Sequence, residues 1–251
     1  KIQKIPIGGD NTIETLFSST KWVKNPLGLA IDGEGEMIYW ASSGGGQQAI
    51  RRVSINCVNC VENDVHDMAK WMSNAGHPAG LWVGKTNDIK KCSPDTDPKG
   101  RLYWTETGLV KSGEITGNSI TDVKEFFTDN KLGDSPRQIV LDDQFVYVAD
   151  GGASTSVSKC KRGIGRVNKD GTDANRRIVD GMCDASGVAL NPKTTENRWL
   201  YFSDKGIPEQ KVAPSLWRLD LDEYEKDPDW PIDLGVKREN LSKNTDTTYH
   251  D

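Results

Sequence analysis

The chain has 251 residues, enough for one all-β domain or two smaller ones and for a sizeable buried core, and carries a formal charge of −5. An excess of carboxylates without any basic run leaves no electrostatic footprint for nucleic acid or an anionic membrane. No apolar stretch approaches the ~20 residues of a membrane span, so membrane insertion is not expected. Lys1 rather than Met opens the sequence, which fits a processed or trimmed chain.

Ile2 to Ile7 alternates with period 2, Gly8-Gly9-Asp10-Asn11 supplies turn residues, and Thr12 to Phe17 alternates again, so a β-hairpin is predicted. An apolar run follows at Pro26-Leu27-Gly28-Leu29-Ala30-Ile31-Asp32, then Ile38-Tyr39-Trp40-Ala41-Ser42, then Ile50 to Ile55. The phrase returns three times. Its copies are Pro78 to Val83 with Leu102-Tyr103-Trp104-Thr105-Glu106, Pro136 to Asp142 with Val146-Tyr147-Val148-Ala149-Asp150, and Ala185 to Asn191 with Leu200-Tyr201-Phe202-Ser203-Asp204. The first halves start 52, 58 and 49 residues apart, a period that marks a repeat architecture.

A hairpin follows every tyrosine-containing strand. Lys111 to Ile115 turns at Gly117-Asn118, and Ile164 to Asn168 turns at Asp170-Gly171 into Arg176 to Val179. Leu216 to Leu221 opens the last hairpin, with its return strand expected near Ile232 to Val236. His66 to Met72 comes nearest to a helical period but is too short to make a helix. With the four strands of one repeat named A to D, the order is CD-ABCD-ABCD-ABCD-ABCD. Four-stranded antiparallel units repeated about an axis predict an all-β β-propeller, in which strand A lines the centre and strand B packs its aromatics between neighbouring blades.

These copies resemble the YWTD class of propeller repeats of low-density-lipoprotein-receptor-type proteins, and more loosely the NHL class. Tyr39-Trp40-Ala41-Ser42, Tyr103-Trp104-Thr105-Glu106, Tyr147-Val148-Ala149-Asp150 and Tyr201-Phe202-Ser203-Asp204 stand where the family reads Tyr-Trp-Thr-Asp, and Asn168 to Thr172 looks like its Asp-Gly hairpin. The resemblance implies one propeller domain over 1–251, with four full blades and an N-terminal outer hairpin drawn from a six-bladed parent. Four inner strand pairs stand against five outer ones, so the expectation is a segment of a longer protein. The polar stretch 238–251 is expected to be a tail or linker, or the ragged end of the last strand D.

Propeller topology sorts the loops by face. Cys160 and Cys183 fall on one face, in a B–C loop and the next D–A loop; Cys57, Cys60 and Cys92 fall on the other. Bridges are therefore expected between Cys160 and Cys183, and between Cys92 and either Cys57 or Cys60, as in an oxidising compartment. A zinc or redox reading of Cys57–Cys60 is disfavoured, because no second CxxC and only three histidines accompany it.

Glu106, Asp150 and Asp204 end three strand-B copies on one face, with Arg137 entering beside them on strand A. Such carboxylates are a candidate calcium site, similar to the divalent-metal site of gluconolactonase-like propellers. The family's repeat-terminal Asp instead ties blades through backbone hydrogen bonds, and that role is the favoured expectation. The acidic run from Asp220 to Asp229 lacks EF-hand order and is expected to be a solvated loop, and Asp95 to Gly100 a turn. His66, His77 and His250 share no motif with a nucleophile, and no Gly-x-Ser-x-Gly elbow is present. Gly44-Gly45-Gly46 leads into a strand, so it offers no helix N-terminus to phosphate. Trp22 and Trp71 with His77 are expected to pack inward rather than form a binding surface. Asn240-Leu241-Ser242 is a glycosylation sequon.

The favoured reading is a secreted, extracellular, non-enzymatic module of a larger protein or assembly. Its expected partners are a protein or glycan ligand, or copies of itself, and no cofactor beyond a candidate calcium ion is expected. The alternative is a secreted divalent-metal-dependent lactonase or hydrolase of the gluconolactonase-like class.

Overall fold

The computed structural model describes residues 1–5, 12–32, 36–43, 48–57, 60–71, 80–84, 100–126, 135–152, 160–172, 176–191, 197–207, 211–226 and 238–241. The chain divides into two compact units, residues 1–125 and 126–251. In the first, β1 (Ile2–Lys4) and β2 (Glu14–Phe17) form a two-stranded sheet. The first blade is β3 (Pro26–Asp32), β4 (Met37–Ser42), β5 (Gln48–Ser54) and β6 (His66–Trp71). The second is β7 (Leu81–Gly84), β8 (Arg101–Glu106), β9 (Leu109–Thr116) and β10 (Ser119–Phe126). In the second unit, the third blade is β11 (Ser135–Leu141), β12 (Phe145–Gly151), β13 (Arg162–Asn168) and β14 (Arg176–Met182). The fourth is β15 (Ala185–Leu190), β16 (Trp199–Asp204), β17 (Ser215–Asp220) and β18 (Arg238–Asn240). Each blade is a meander whose strands pair in chain order.

Alternation along the tyrosine strand sends its two faces to two different cores. Tyr39 and Ala41 of β4 join Ala30 and Ile50 against Leu81, Leu102 and Trp104 of the second blade. Ile38 and Trp40 point the other way, into a cluster with Ile2, Leu16 and Phe17 of the β1–β2 hairpin. Period-2 geometry makes this division unavoidable, because successive side chains leave opposite faces. In the second unit Val140, Tyr147 and Ala149 of the third blade meet Val188, Leu200 and Phe202 of the fourth. Trp40, Trp104, Tyr39, Tyr103 and Tyr147 are all fully buried, and each aromatic ring removes roughly 150–250 Å² from water.

Three segments differ from the sequence expectation. His66 to Trp71 is strand β6, paired with β5 from Arg52 back to Gln48; Met68 faces the core, and half-solvated neighbours blur the alternation. The run from Asp220 is not a solvated loop: Leu221–Lys226 is a short helix, α1, whose Leu221 and Tyr224 are buried. A return strand lies at Arg238–Asn240, paired with Leu219 to Trp217, so the polar stretch from 238 opens as the end of strand D. Residues 232–236 and 242–251 lie outside the described residues. Among the described residues no helix is long and apolar enough to cross a membrane.

Close approach fixes one glycine. A Cβ on Gly163 would stand 1.7 Å from the Val179 carbonyl oxygen, where the β13–β14 register shifts. Gly163→Ala is therefore expected to lower stability by about 1–3 kcal/mol, as backbone overpacking does, in thermal and urea unfolding.

Candidate functional site

The three carboxylates that end strand B are each engaged by their own surroundings. Glu106, at the end of β8, accepts a 2.7 Å hydrogen bond from the Trp104 indole and pairs with Lys111 at 3.2 Å. Burial pulls the Lys111 ammonium down, but Glu106 and Glu125 outweigh it and leave its pKa raised. Asp150, fully buried at the end of β12, accepts from Arg177 at 2.9 Å, with Arg162 at 3.9 Å. Asp204 accepts from three backbone N–H groups, those of Cys183 (2.8 Å), Asp184 (2.9 Å) and Gly206 (2.9 Å).

Asp184 extends that last tie to the neighbouring blade. Its carboxylate pairs with Arg137 of β11 at 3.0 Å and accepts from the Gly152 N–H at 3.2 Å. Cys183, one residue earlier, is bonded to Cys160. A bridge, an ion pair and three hydrogen bonds from backbone N–H groups thus converge on two adjacent residues before β15. Arg137, expected beside a metal, is the partner of Asp184.

The other cysteine expectation is corrected. Cys57 is bonded to Cys60, so neither is bridged to Cys92, which lies outside the described residues. The chain after β5 turns tightly enough to bring the two Cα atoms to 5.6 Å, a normal bridging distance that needs no remote partner. The Cys60 N–H donates to the Leu16 carbonyl, which fastens this turn to the N-terminal hairpin. Among the described residues, Cys57, Cys60 and Asp64 are the one group of His, Cys, Asp and Glu atoms close enough to share an ion, within 4.8 Å. Oxidised to a disulfide, the two sulfurs are not the thiolates that bind a metal.

Sequence reasoning missed a charged cluster in the second unit. Arg198, just before β16, donates to Asp222 at 2.7 Å and to Glu225, both on α1, and stands 3.6 Å from Asp142 after β11. Asp142 also accepts from the Tyr147 hydroxyl at 2.7 Å and from the Gln144 and Phe145 N–H groups. Arg166 lies over the Phe145 and Tyr224 rings, 4.1 and 5.1 Å from their centroids. Burial, then the Asp142 carboxylate, push the Tyr147 hydroxyl far above the ordinary phenol range. One signal was available: Asp32, Asp142 and Asn191 recur at the end of strand A, and two of them close their A–B loops by side-chain hydrogen bonds.

The remaining candidates are dispersed. Trp22 packs at the edge of the first core, with the Arg51 guanidinium 4.8 Å from its ring centroid, while its carbonyl accepts from Trp40, Ser42 and Arg51. His66 lies half-buried on β6, opposite Arg52. Asn240 is half-buried on β18, opposite Trp217. The Trp71 side chain, His77, His250, 44–46 and 95–99 lie outside the described residues. Aliphatic surface is concentrated on β3, where Leu27, Leu29 and Ile31 are about half exposed.

No protein-family model and no curated protein matches this sequence. Solved structures do. A nidogen chain in the crystal structure of a nidogen/laminin complex superposes with a TM-score of 0.62 at 18% identity, covering 96% of this chain and 74% of that one. The fold is a β-propeller. A putative 6-phosphogluconolactonase from Bacteroides fragilis superposes at 0.51 and 11% identity, over 88% of this chain and 61% of that one. A calcium structure of the Trichoderma reesei carbohydrate-active enzyme family AA12 gives 0.51 and 13% identity, over 82% and 53%. Identities this low establish the fold alone.

The α1 cluster gives a pH-dependent contribution. Arg198, by its side chain and its backbone N–H, holds the Asp222 carboxyl below the ordinary range. A carboxyl depressed in the folded state stabilises fully above its unfolded pKa, about 3.9, and loses that stabilisation as pH falls through the lower folded value. Asp222→Asn should therefore melt below wild type at pH 7, with the gap closing as thermal scans are taken below about pH 4.

Proposed function

We propose that this chain is an extracellular, non-catalytic propeller of the YWTD type that serves as a protein-binding or structural module of a larger assembly. The observation that carries this reading is the engagement of Glu106, Asp150 and Asp204. A metal-dependent hydrolase would hold its ion with carboxylate oxygens turned into an open site. Here Asp204 is occupied by three backbone N–H groups, Asp150 by Arg177, and Glu106 by Trp104 and Lys111. Two disulfides and the Asn240 sequon agree with a secreted protein. The likeness to nidogen spans nearly the whole chain and makes laminin, named in that complex, the first ligand to test.

Calorimetric titration with calcium is expected to give no saturable heat, and γ- and δ-lactones are expected to be hydrolysed at the uncatalysed rate. Immobilised protein is expected to bind an extracellular-matrix protein saturably, with laminin screened first. Asp204→Ala, which strands three backbone donors, should cost about 2–4 kcal/mol in urea unfolding without creating or abolishing turnover. Lactone turnover that requires a divalent ion and disappears in Asp150→Ala would overturn the reading in favour of the lactonase.

A further inference from the structure

The residue that follows the repeat tyrosine heads a row of cross-strand partners that runs outward through each blade. In the first blade Trp40 lies opposite Arg51, and Arg51 lies opposite Asp67, with which it pairs at 2.7 Å. In the second, Trp104 lies opposite Lys111, which pairs with Glu125 of β10 at 3.2 Å. In the third, Val148 lies opposite Gly165 and Gly165 opposite Arg177, whose guanidinium reaches Asp150 on the tyrosine strand at 2.9 Å. A charge fastens the outermost strand along this row in all three.

The fourth blade departs from that pattern. Phe202 lies opposite Trp217, and Trp217 opposite Asn240, so the outer pair is an indole and an amide. The Trp217 ring packs against the core shared by the third and fourth blades, and its N–H donates to the Ser215 hydroxyl at 2.7 Å, which sets its orientation. Trp217 and Asn240 are both half-buried, so each keeps a part in solvent. Among the described residues β18 pairs with β17 alone and is three residues long. Asn240 also opens Asn240-Leu241-Ser242, the only Asn-x-Ser/Thr sequence of the chain. The one sequon therefore falls on the one row whose outer pair is neutral.

We propose that Asn240 carries an N-linked glycan whose first N-acetylhexosamine lies on the Trp217 ring, holding β18 to β17 where the other blades use charge. The donor class is a lipid-diphosphate-linked oligosaccharide. The Asn240 Nδ2 forms a bond to C1 of its first sugar as the C1–O bond to the diphosphate breaks; one amide proton passes to base and the lipid diphosphate leaves. Side chains directly opposite each other on one face of an antiparallel pair have Cβ atoms about 4.5–5.5 Å apart. A pyranose on the amide is thus within reach of the indole, and covering that ring removes apolar area from water. The proposal rests on the extracellular reading and adds to it a covalent modification with a structural task.

The test uses the full 251-residue chain, sent through the secretory pathway of a eukaryotic cell line behind a cleavable leader. Peptide mapping after enzymatic glycan release in heavy-oxygen water is expected to find Asn240 converted to a labelled Asp. The glycosylated chain should melt about 2–4 °C above Ser242→Ala, which loses the sequon and keeps Asn240. Trimming the glycan to its first sugar should preserve that gap. In a Trp217→Ala background the glycosylated and sequon-free forms should melt together, whatever the variant costs the fold itself. Secretion with Cys160–Cys183 formed and Asn240 bare overturns the proposal and leaves the extracellular reading standing. Retention of a chain that is both unbridged and bare overturns the two together. A melting gap that is lost on trimming, or that persists undiminished in Trp217→Ala, removes the indole contact and overturns the structural task.

Discussion

A β-sheet whose two faces are both apolar must be covered on both, and the rest of this molecule follows from that requirement. The tyrosine strands β4, β8 and β12 are buried throughout or nearly so; in β8 every residue from Arg101 to Glu106 is buried. No single neighbouring layer can bury such a strand. In the first unit β4 therefore stands between two layers, and its aromatic pair, Tyr39 and Trp40, is split between two cores rather than gathered in one. Stability in such an arrangement is approximately a sum of blade terms and nearest-neighbour interface terms. A blade with an uncovered face is consequently a local deficit that adjacent blades cannot repair from a distance.

Polar groups then fix how neighbouring blades meet. Hydrophobic contact is non-directional and would tolerate sliding, while hydrogen bonds to a buried carboxylate do not. The segment 183–184 shows the division of labour. Asp204 shapes the loop through its backbone, and Asp184 reaches from that shaped loop to Arg137 and Gly152 of the preceding blade. Arg198 does the equivalent at the other end of the same sheets, joining α1 to the turn after β11. Carboxylates that resemble a ligand set in the sequence are, in three dimensions, held by cations, an indole and backbone N–H groups of their own blades.

The inner strands were legible because their chemistry repeats. An apolar triplet, a Tyr and a second large residue recur at a near-constant period, and β3, β4, β8, β11, β12, β15 and β16 lie where that phrase places them. Hairpins with strong turn signals, such as Gly117-Asn118 and Asp170-Gly171, were legible for the same reason. Outer strands were harder. β6 carries one solvated face and reads ambiguously, and α1 hides in a run of six carboxylates from Asp220 to Asp229 although Leu221 and Tyr224 anchor it. The residues of the candidate metal site were legible as carboxylates at strand ends, but their roles depended on partners remote in sequence. Nothing local to Asp150 names Arg177, and nothing local to Asp142 names Arg198.

The two bridges differ in what they do to the unfolded chain. Cys57 and Cys60 are three residues apart, so their ring removes little freedom, worth about 2 kcal/mol by loop-closure entropy. Cys160 and Cys183 are 23 apart and enclose the whole β13–β14 hairpin, worth about 3 kcal/mol by the same estimate. The longer bridge also holds together, before any packing exists, the two loops that the third and fourth blades must bring side by side. Oxidation therefore narrows the conformational search for one inter-blade joint, so the order in which disulfides and blades form is coupled at that joint and nearly independent at the other.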